Sequence, residues 1–283
     1  MISVKNLSAS YKRSDKEILK NISFSIEKGE IFGFLGPSGA GKSTTQRVIT
    51  RILADYSGDV SVLGKNIKKW GIDFYNHVGV GFELPNHYMK LTALENLNYF
   101  LHFYSKRIAK PEQLLEWVGL HEFRDKKTEE FSKGMKMRLN FIRALMHDPE
   151  ILFFDEPTSG LDPVNAQTIK KIIREQKKAG KTIFVTTHNM HDAEELCDRV
   201  AFIVEGEIKL IDSPKKLKRE FGHRSVKLET SNDHVNKFEF ALDGLGENKE
   251  FLELIKKEEI LSMHTAEASL DEIFIKVTGK SLV

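Results

Sequence analysis

The most informative segment of this chain of 283 residues is Gly36-Pro37-Ser38-Gly39-Ala40-Gly41-Lys42-Ser43-Thr44. It follows the apolar run 31–35 and precedes apolar residues with helical spacing, so the pattern predicts a strand-to-helix turn. Glycines let the backbone bend until successive N–H groups and the positive end of the following helix point at one anion. Lys42 can then reach the terminal phosphates of a nucleotide, and the Ser43 hydroxyl can bind Mg²⁺. The segment therefore predicts a nucleotide-binding loop.

The composition narrows the class of protein. Lysine and arginine total 43 and aspartate and glutamate total 41, so the net charge of +2 favours neither a nucleic acid nor an anionic membrane as partner. The one cysteine, Cys197, cannot form an internal disulfide and has no metal-ligand spacing around it. No apolar run reaches the roughly 18 to 20 residues that span a bilayer, and no signal-peptide pattern is present. We expect a cytosolic chain with no membrane span of its own.

Two carboxylates follow a second apolar run. Residues 151–154 are all apolar and lead into Asp155 and Glu156, as expected for a buried parallel strand that carries polar groups at its C-terminal end. We expect Asp155 to bind Mg²⁺ together with Ser43. Glu156 is predicted to orient or deprotonate the water that attacks the nucleotide.

A helix and a third strand complete this unit. Asp162-Pro163 is predicted to begin a helix that continues to about Lys178, and residues 182–187 are predicted to form a strand. Strand, helix and strand in this order indicate an α/β domain with a largely parallel sheet. His188 follows the last strand, and we expect it to hydrogen-bond the γ-phosphate, although a lone histidine at a strand end is more often an ordinary surface residue.

Residues 85–148 have a helical pattern. Thr92-Ala93-Leu94-Glu95 is a capping box that begins a helix, and Ser132 is suited to N-cap another that Pro149 is predicted to stop. The aromatic residues 99, 100 and 103 form either the core of this subdomain or an apolar groove for a partner. Beyond the charged run 213–219, which we interpret as a solvated helix face, the chain ends in a second capping box and a short helix.

Five motifs occur in the order and spacing of an ABC-transporter nucleotide-binding subunit, which this chain resembles. They are 36–44, 132–136, 154–157, 159–162 and His188. The likeness covers residues 1 to about 220. It implies an α/β fold with a P-loop NTPase core, a mostly parallel sheet and a helical subdomain inserted at about 85–148. Residues 221–283 are then a small α+β C-terminal appendage.

The resemblance also implies roles for individual residues. ATP would be bound with Mg²⁺, and Tyr11, which could otherwise be a simple surface residue, would stack on adenine. Ser132 and Gly134 would contact the γ-phosphate of ATP held by a second copy of the chain, and Asp162 would lie at the seam between the copies. Two copies would close head to tail on two ATP molecules, because the helix that follows Ser132 offers a second anion site.

Two motifs depart from the family's usual form. The signature reads Phe131-Ser132-Lys133-Gly134-Met135, where leucine at its head and Gly-Gly-Gln after the serine are common. Glu83 stands where the family usually has a glutamine that touches the metal. A carboxylate there adds negative charge near a triphosphate, so Glu83 either faces Mg²⁺ or is a surface residue turned outwards. Glutamate at this position and the ending 269–274 resemble subunits of drug and antibiotic exporters.

The leading hypothesis is therefore the ATPase subunit of an exporter of a drug, antibiotic or peptide. A separate permease would dock on residues 83–105 and hold the protein at the cytoplasmic face of the membrane. Three alternatives stay open: an importer subunit, a soluble ABC ATPase of DNA repair or translation, and a nucleotide kinase or GTPase. The last lacks an Asn-Lys-x-Asp guanine-recognition motif and does not explain residues 132–135.

Overall fold

The computed structural model describes residues 1–11, 17–105, 110–222, 224–232 and 234–280. It contains two compact units, of which the first is Met1–Ile211 and the second begins at Asp212. Among the described helices, none is both long enough and apolar enough to cross a membrane.

In its described residues, the first unit combines ten strands with six α-helices. Its strands are β1 (Ile2–Ser10), β2 (Glu17–Ile26), β3 (Ile31–Leu35), β4 (Ser57–Val62), β5 (Lys65–Asn66), β6 (Val78–Gly81), β7 (Ile151–Asp155), β8 (Thr182–Thr187), β9 (Arg199–Val204) and β10 (Glu207–Asp212). Its helices are α1 (Lys42–Ile49), α2 (Ala93–Leu101), α3 (Pro111–Trp117), α4 (Lys133–Arg143), α5 (Pro163–Lys178) and α6 (Met190–Leu196).

A six-stranded sheet with the order β10-β9-β3-β8-β7-β6 forms the centre of this unit. Strand β3 pairs in parallel with β8 and β9, and β7 pairs in parallel with β6 and β8, which confirms the predicted α/β fold. Every residue of β3, β7 and β8 is buried, as expected for strands covered on both faces. Because the C-terminal ends of parallel strands lie on the same side of a sheet, the segments that follow these three strands lie together.

An antiparallel sheet with the order β2-β1-β4-β5 packs beside the central sheet. The sequence pattern suggests a turn at residues 57–59, but the structure places them in β4. Gly58 is the reason: its φ is +95°, and a Cβ there would lie 2.3 Å from the Asn6 carbonyl oxygen. The glycine lets β4 approach β1 where the register of the pair shifts between Lys5 and Ser8.

Five phenylalanines fill the core between the two sheets. Phe184 is central, with ring centroids 5.6 Å from Phe34 and 5.8 Å from Phe153. Phe24, on β2, stacks on Phe32 with a centroid separation of 5.6 Å. This aromatic layer fixes β3, β7 and β8 and so holds the edge at which they end.

Two helices of the inserted helical segment begin at the predicted cap residues. Thr92 and Glu95 form the capping box of α2, and the Ser132 hydroxyl accepts a hydrogen bond from the Met135 N–H at the start of α4. Helix α4, however, ends at Arg143 and not at Pro149. The chain turns there because it passes tightly over β6, where a Cβ on Gly79 would lie 2.0 Å from the Ala144 carbonyl oxygen.

The second unit is a three-stranded antiparallel sheet with three helices. The elements are α7 (Pro214–Phe221), β11 (Arg224–Asn232), β12 (His234–Ala241), α8 (Lys249–Lys257), β13 (Glu259–Glu267) and α9 (Leu270–Thr278), with the strand order β12-β11-β13. Val226, Leu228, Phe240 and Phe251 form its small core. Ser269 and Glu272 make the predicted capping box of α9, and Gly279 ends that helix in the left-handed conformation.

Phe184→Ala should lower the free energy of unfolding by about 3–5 kcal/mol, because it leaves a cavity in the aromatic layer. Phe103→Ala is the matched control, since that ring is 69% exposed and its loss should change stability by no more than about 0.5 kcal/mol. Urea unfolding followed by circular dichroism measures both. Equal stability losses in the two variants would contradict the central role of Phe184.

Candidate ATP-binding site

The loop between β3 and α1 folds around the side chain of Lys42. Lys42 Nζ donates hydrogen bonds to the Gly36 carbonyl at 2.6 Å and to the Pro37 carbonyl at 3.1 Å. A Cβ on Gly36 would lie 2.1 Å from the Ile203 carbonyl oxygen, and Gly41 has a φ of +111°, so both positions require glycine. The loop thus holds the buried ammonium of Lys42 next to the C-terminal end of β3.

Three carboxylates surround this ammonium. Burial lowers the pKa of Lys42, while the negative charges of Glu156, Asp155 and Glu83 oppose that shift. A phosphate oxygen is a stronger acceptor for an ammonium than a carbonyl is. Lys42 can therefore exchange its two carbonyl partners for a nucleotide's phosphates without leaving the loop.

Asp155 ends β7 beside the start of α1. Its Oδ1 accepts hydrogen bonds from the Ser43 hydroxyl at 3.3 Å and from the Thr186 hydroxyl. A serine hydroxyl and a carboxylate oxygen in contact are the kind of hard oxygen donors that Mg²⁺ prefers, so these residues fit the predicted metal. The role of Thr186 was not predicted, although a threonine at the end of an otherwise apolar strand is a signal for it.

Glu156 is buried and held by the end of β8. It receives hydrogen bonds from the Thr187 hydroxyl at 3.0 Å and from the His188 N–H at 3.0 Å, and His188 Nδ1 lies 2.7 Å from its Oε1. Glu156 itself has a φ of +51°, which turns it away from the direction of Asp155. The His188 ring is 55% exposed. The two residues proposed for catalysis therefore form one hydrogen-bonded pair.

A cavity of about 510 Å³ adjoins Ser43 and Asp155. One of its walls is α1 and another is the loop Phe82–Asn86, so Glu83 lies in the same cavity as the predicted Mg²⁺ ligands. The Glu83 side chain is exposed.

Tyr11, which follows β1, contacts two residues of α1. Its hydroxyl is 3.4 Å from Thr44 Oγ1 and accepts a hydrogen bond from Arg47. Its role at adenine remains a prediction.

Ser132, Gly134 and Asp162 form a separate surface. Ser132 caps α4 and is exposed, and Asp162 caps α5 by accepting hydrogen bonds from the Val164 and Asn165 N–H groups. A Cβ on Gly134 would lie 3.6 Å from Leu161, which places the two helix starts side by side. Within the described residues, no hydrogen bond connects this surface to the loop 36–44. The structure therefore shows no hydrogen-bonded link, within the described residues, between the two sets of residues that are predicted to bind phosphate.

Helix α4 also holds the loop that carries Glu83. Asn140 Nδ2 donates to the Phe82 carbonyl at 2.6 Å, and Arg143 Nη1 donates to the Asn86 carbonyl at 2.6 Å. His87 Nε2 lies 2.9 Å from the Lys136 carbonyl. Sequence reasoning missed these contacts, although polar residues among the apolar positions of α4 are a signal for them.

Comparisons with known proteins show the family of this chain. The sequence profile described as "ABC transporter" matches residues 19–159, and that described as "Fluoroquinolone efflux ABC transporter C-terminal domain" matches residues 224–267. A fluoroquinolones export ATP-binding protein of Mycobacterium tuberculosis (strain CDC 1551 / Oshkosh) is 47% identical over 284 residues, covering 100% of this chain and 94% of that protein. The chain belongs to the ATP-binding subunits of ABC transporters.

Two further matches support this membership. The linearmycin resistance ATP-binding protein of Bacillus subtilis (strain 168) is 34% identical over 314 residues, covering 100% of this chain and 99% of that protein. A dimeric structure of a post-hydrolysis state of an ATP-binding cassette, bound to ADP and Pi, superposes with a TM-score of 0.69 at 27% identity, covering 75% of this chain and 98% of that one. This ABC subunit is thus an ATPase, which excludes the kinase and GTPase alternatives.

Acid should destabilise the protein through His87. Burial lowers the pKa of His87 from 6.5 to about 4. Between these pH values His87 is protonated in the unfolded chain but neutral in the folded chain, so stability is lost as the pH falls from about 6.5 towards 4. His87→Gln should reduce the loss of unfolding free energy between pH 7 and pH 5 by about 2 kcal/mol. His191→Gln, at an exposed histidine, is the control. Urea unfolding at both pH values tests this, and an unchanged pH dependence would contradict it.

Glu156→Gln should lower ATP turnover by about a hundred- to ten-thousand-fold, because an amide cannot accept the proton of water. ATP affinity should be retained, since Glu156 is bonded to Thr187 and His188 and not to the loop 36–44. Phosphate release and equilibrium binding of labelled ATP measure the two properties. The exposed Glu122→Gln is the control, and undiminished turnover in Glu156→Gln would remove Glu156 from this role.

Proposed function

We propose that two copies of this chain close head to tail around two ATP molecules and hydrolyse them to drive a separate exporter permease. One observation carries the proposal: the capped start of α4, at Ser132, is exposed and, among the described residues, makes no hydrogen bond to the loop that encloses Lys42. Free N–H groups and the helix dipole would make that start a second anion site. A second copy could bring its own α4 to this chain's ATP and complete the site.

Within each composite site, the loop 36–44 would bind the phosphates and Tyr11 would stack on adenine. Ser132 and Gly134 of the opposite copy would contact the γ-phosphate, with Asp162 at the seam. Ser43 and Asp155 would hold Mg²⁺, and Glu83 would be its additional neighbour. When bound, the metal would neutralise charge on the phosphate oxygens.

Hydrolysis would then follow from the groups at the ends of β7 and β8. Glu156 would accept a proton from water as the water oxygen forms a bond to the γ-phosphorus and the bond to the bridging oxygen breaks. His188 would orient Glu156 through its Nδ1 contact while its other ring nitrogen reaches the γ-phosphate. Lys42 would offset the charge that accumulates on the leaving ADP.

Docking of the permease on residues 83–105 is supported by exposed apolar side chains in that segment. Leu84, Tyr88, Tyr99 and Phe103 are exposed at 77%, 48%, 42% and 69%. The tyrosine pair contacts edge to face, with centroids 4.7 Å apart, and Tyr99 contacts Phe103 in the same manner. A permease bound there would hold the subunit at the cytoplasmic face of the membrane, and the named relatives favour a drug or antibiotic as the exported substrate.

Complementation between two inactive variants tests the composite site. Lys42→Ala disables the phosphate loop, and Ser132→Arg blocks the α4 start, so each variant alone should lack turnover. A mixture should regain it, because one site of each mixed dimer combines an intact Lys42 with an intact Ser132. Phosphate release measures this, and Lys28→Ala mixed with Ser132→Arg is the matched control for lysine removal. No recovery in a mixture that forms dimers would reject the head-to-tail arrangement.

Glu83→Gln should leave ATP binding intact and change how strongly the permease stimulates turnover. Glu83 lines the cavity that holds the predicted Mg²⁺ ligands and is also the first residue of the segment 83–105. The substitution removes its negative charge and preserves the size of the side chain. Turnover of the subunit alone is compared with turnover in vesicles that contain the permease, and Glu122→Gln serves as the control. An identical degree of stimulation in Glu83→Gln and the wild type would make Glu83 an ordinary surface residue.

A further inference from the structure

Gln46 carries a buried side-chain amide. The residue is 1% exposed, and neither Oε1 nor Nε2 has a hydrogen-bond partner among the residues that the structure describes. Buried amides are ordinarily hydrogen-bonded, because an unpaired donor or acceptor loses its water contacts without compensation. Gln46 therefore calls for an explanation that the phosphate loop and the catalytic pair do not provide.

The position of Gln46 on α1 connects it to the nucleotide site. It lies three residues after Ser43, so both side chains are on one face of the helix, and both line the cavity of about 510 Å³. The loop Phe82–Asn86 lines the same cavity. Gln46 and the loop that carries Glu83 thus line the same cavity.

Among the described residues, the hydrogen bonds to this loop come from α4. Asn140 and Arg143 of α4 bind its main-chain carbonyls at Phe82 and Asn86, as described above. Glu83, between these two points, has an exposed side chain and no hydrogen bond among the described residues. The negative charge of this carboxylate also acts on the Lys42 ammonium, where it opposes the larger lowering of the Lys42 pKa by burial. Glu83 is therefore near the phosphate loop but is not fixed in place.

We propose that Gln46 is a positioning residue for Glu83. When ATP is bound and the loop 82–86 closes over the cavity, the Gln46 amide N–H groups donate to the Glu83 carboxylate and hold it beside the Mg²⁺ ligands. The chemistry of the pair supports this: a carboxylate only accepts, an amide offers two donors, and a hydrogen bond to an ionised acceptor is the stronger kind.

The Gln46 amide is also an uncharged donor, which has two advantages at this position. It offsets part of the repulsion between Glu83 and the triphosphate, yet it can remain buried in the open state without carrying a charge out of water. This inference rests on the proposed placement of the nucleotide at Lys42 and Ser43, and it adds a role for Gln46 and Glu83 in responding to that nucleotide.

Hydrogen–deuterium exchange of residues 82–87 tests the proposal. In the Glu156→Gln background, which keeps ATP intact, adding ATP with Mg²⁺ should slow exchange of this segment by about tenfold or more, the scale of one strong hydrogen bond. Gln46→Leu and Glu83→Ala should each abolish the slowing, and their combination should have no additional effect. Glu83→Gln keeps an acceptor and should retain the slowing, whereas Gln46→Glu places two carboxylates together and should lose it.

Two further measurements separate positioning from folding and from ATP binding. Gln46→Leu removes two unpaired buried atoms, so the melting temperature of the ATP-free protein should rise by about 2–4 °C. In the otherwise native chain, its kcat should fall while its affinity for ATP stays unchanged. A lowered melting temperature with weakened ATP binding would assign Gln46 to the structure of α1 and overturn the proposal.

Retained ATP-dependent slowing in Gln46→Leu would also overturn it, as would losses in the two single variants that add in the double variant. Failure of this inference is distinguishable from failure of the proposed function. If ATP binds and closes the dimer while exchange of residues 82–87 is unaffected, only the Gln46 inference fails. If ATP does not bind at Lys42, the proposed site itself fails.

Discussion

The burial of one ammonium at the edge of a parallel sheet is the constraint on which the rest of this structure depends. Lys42 is enclosed by carbonyls of its own loop, and burial alone would disfavour its charge. The carboxylates of Asp155 and Glu156 oppose that effect, and they can do so because β3 and β7 flank β8, so that all three parallel strands end on the same side of the sheet. The aromatic layer around Phe184 fixes that alignment. The packing of the core therefore also sets the positions of the charged groups around Lys42.

Helix α4 connects two functions that lie apart in the sequence. Its first turn, capped by Ser132, presents the exposed N–H groups proposed to reach the ATP of a second copy. Farther along, Asn140 and Arg143 bind the loop that carries Glu83. A rigid helix moves both ends together. Pulling Ser132 towards ATP would thus move Glu83 and the apolar surface on which we propose that the permease docks, which would give a physical route from nucleotide to transporter.

The strands and helices around the site were predictable because each carries a local signal. Continuous apolar runs predict β3 and β7, the strand–helix–strand order predicts β8, and cap residues predict α2, α4 and α9. The errors are also local: the pattern at residues 57–59 predicts a turn, and Pro149 predicts the end of α4. In both places a glycine allows a close approach of two backbones, at Asn6 and at Ala144, which no pattern of polarity reveals.

Residue types at fixed short spacings were enough to predict the α/β class, the glycine-rich loop 36–44 and the family to which the chain belongs. The contacts between distant residues required the folded structure. It placed Thr187 and His188 on Glu156, joined α4 to the loop 82–86, and left the Gln46 amide buried with no hydrogen-bond partner among the described residues. Such contacts join residues that are tens of positions apart, so their geometry is fixed by packing and is not written in any one segment.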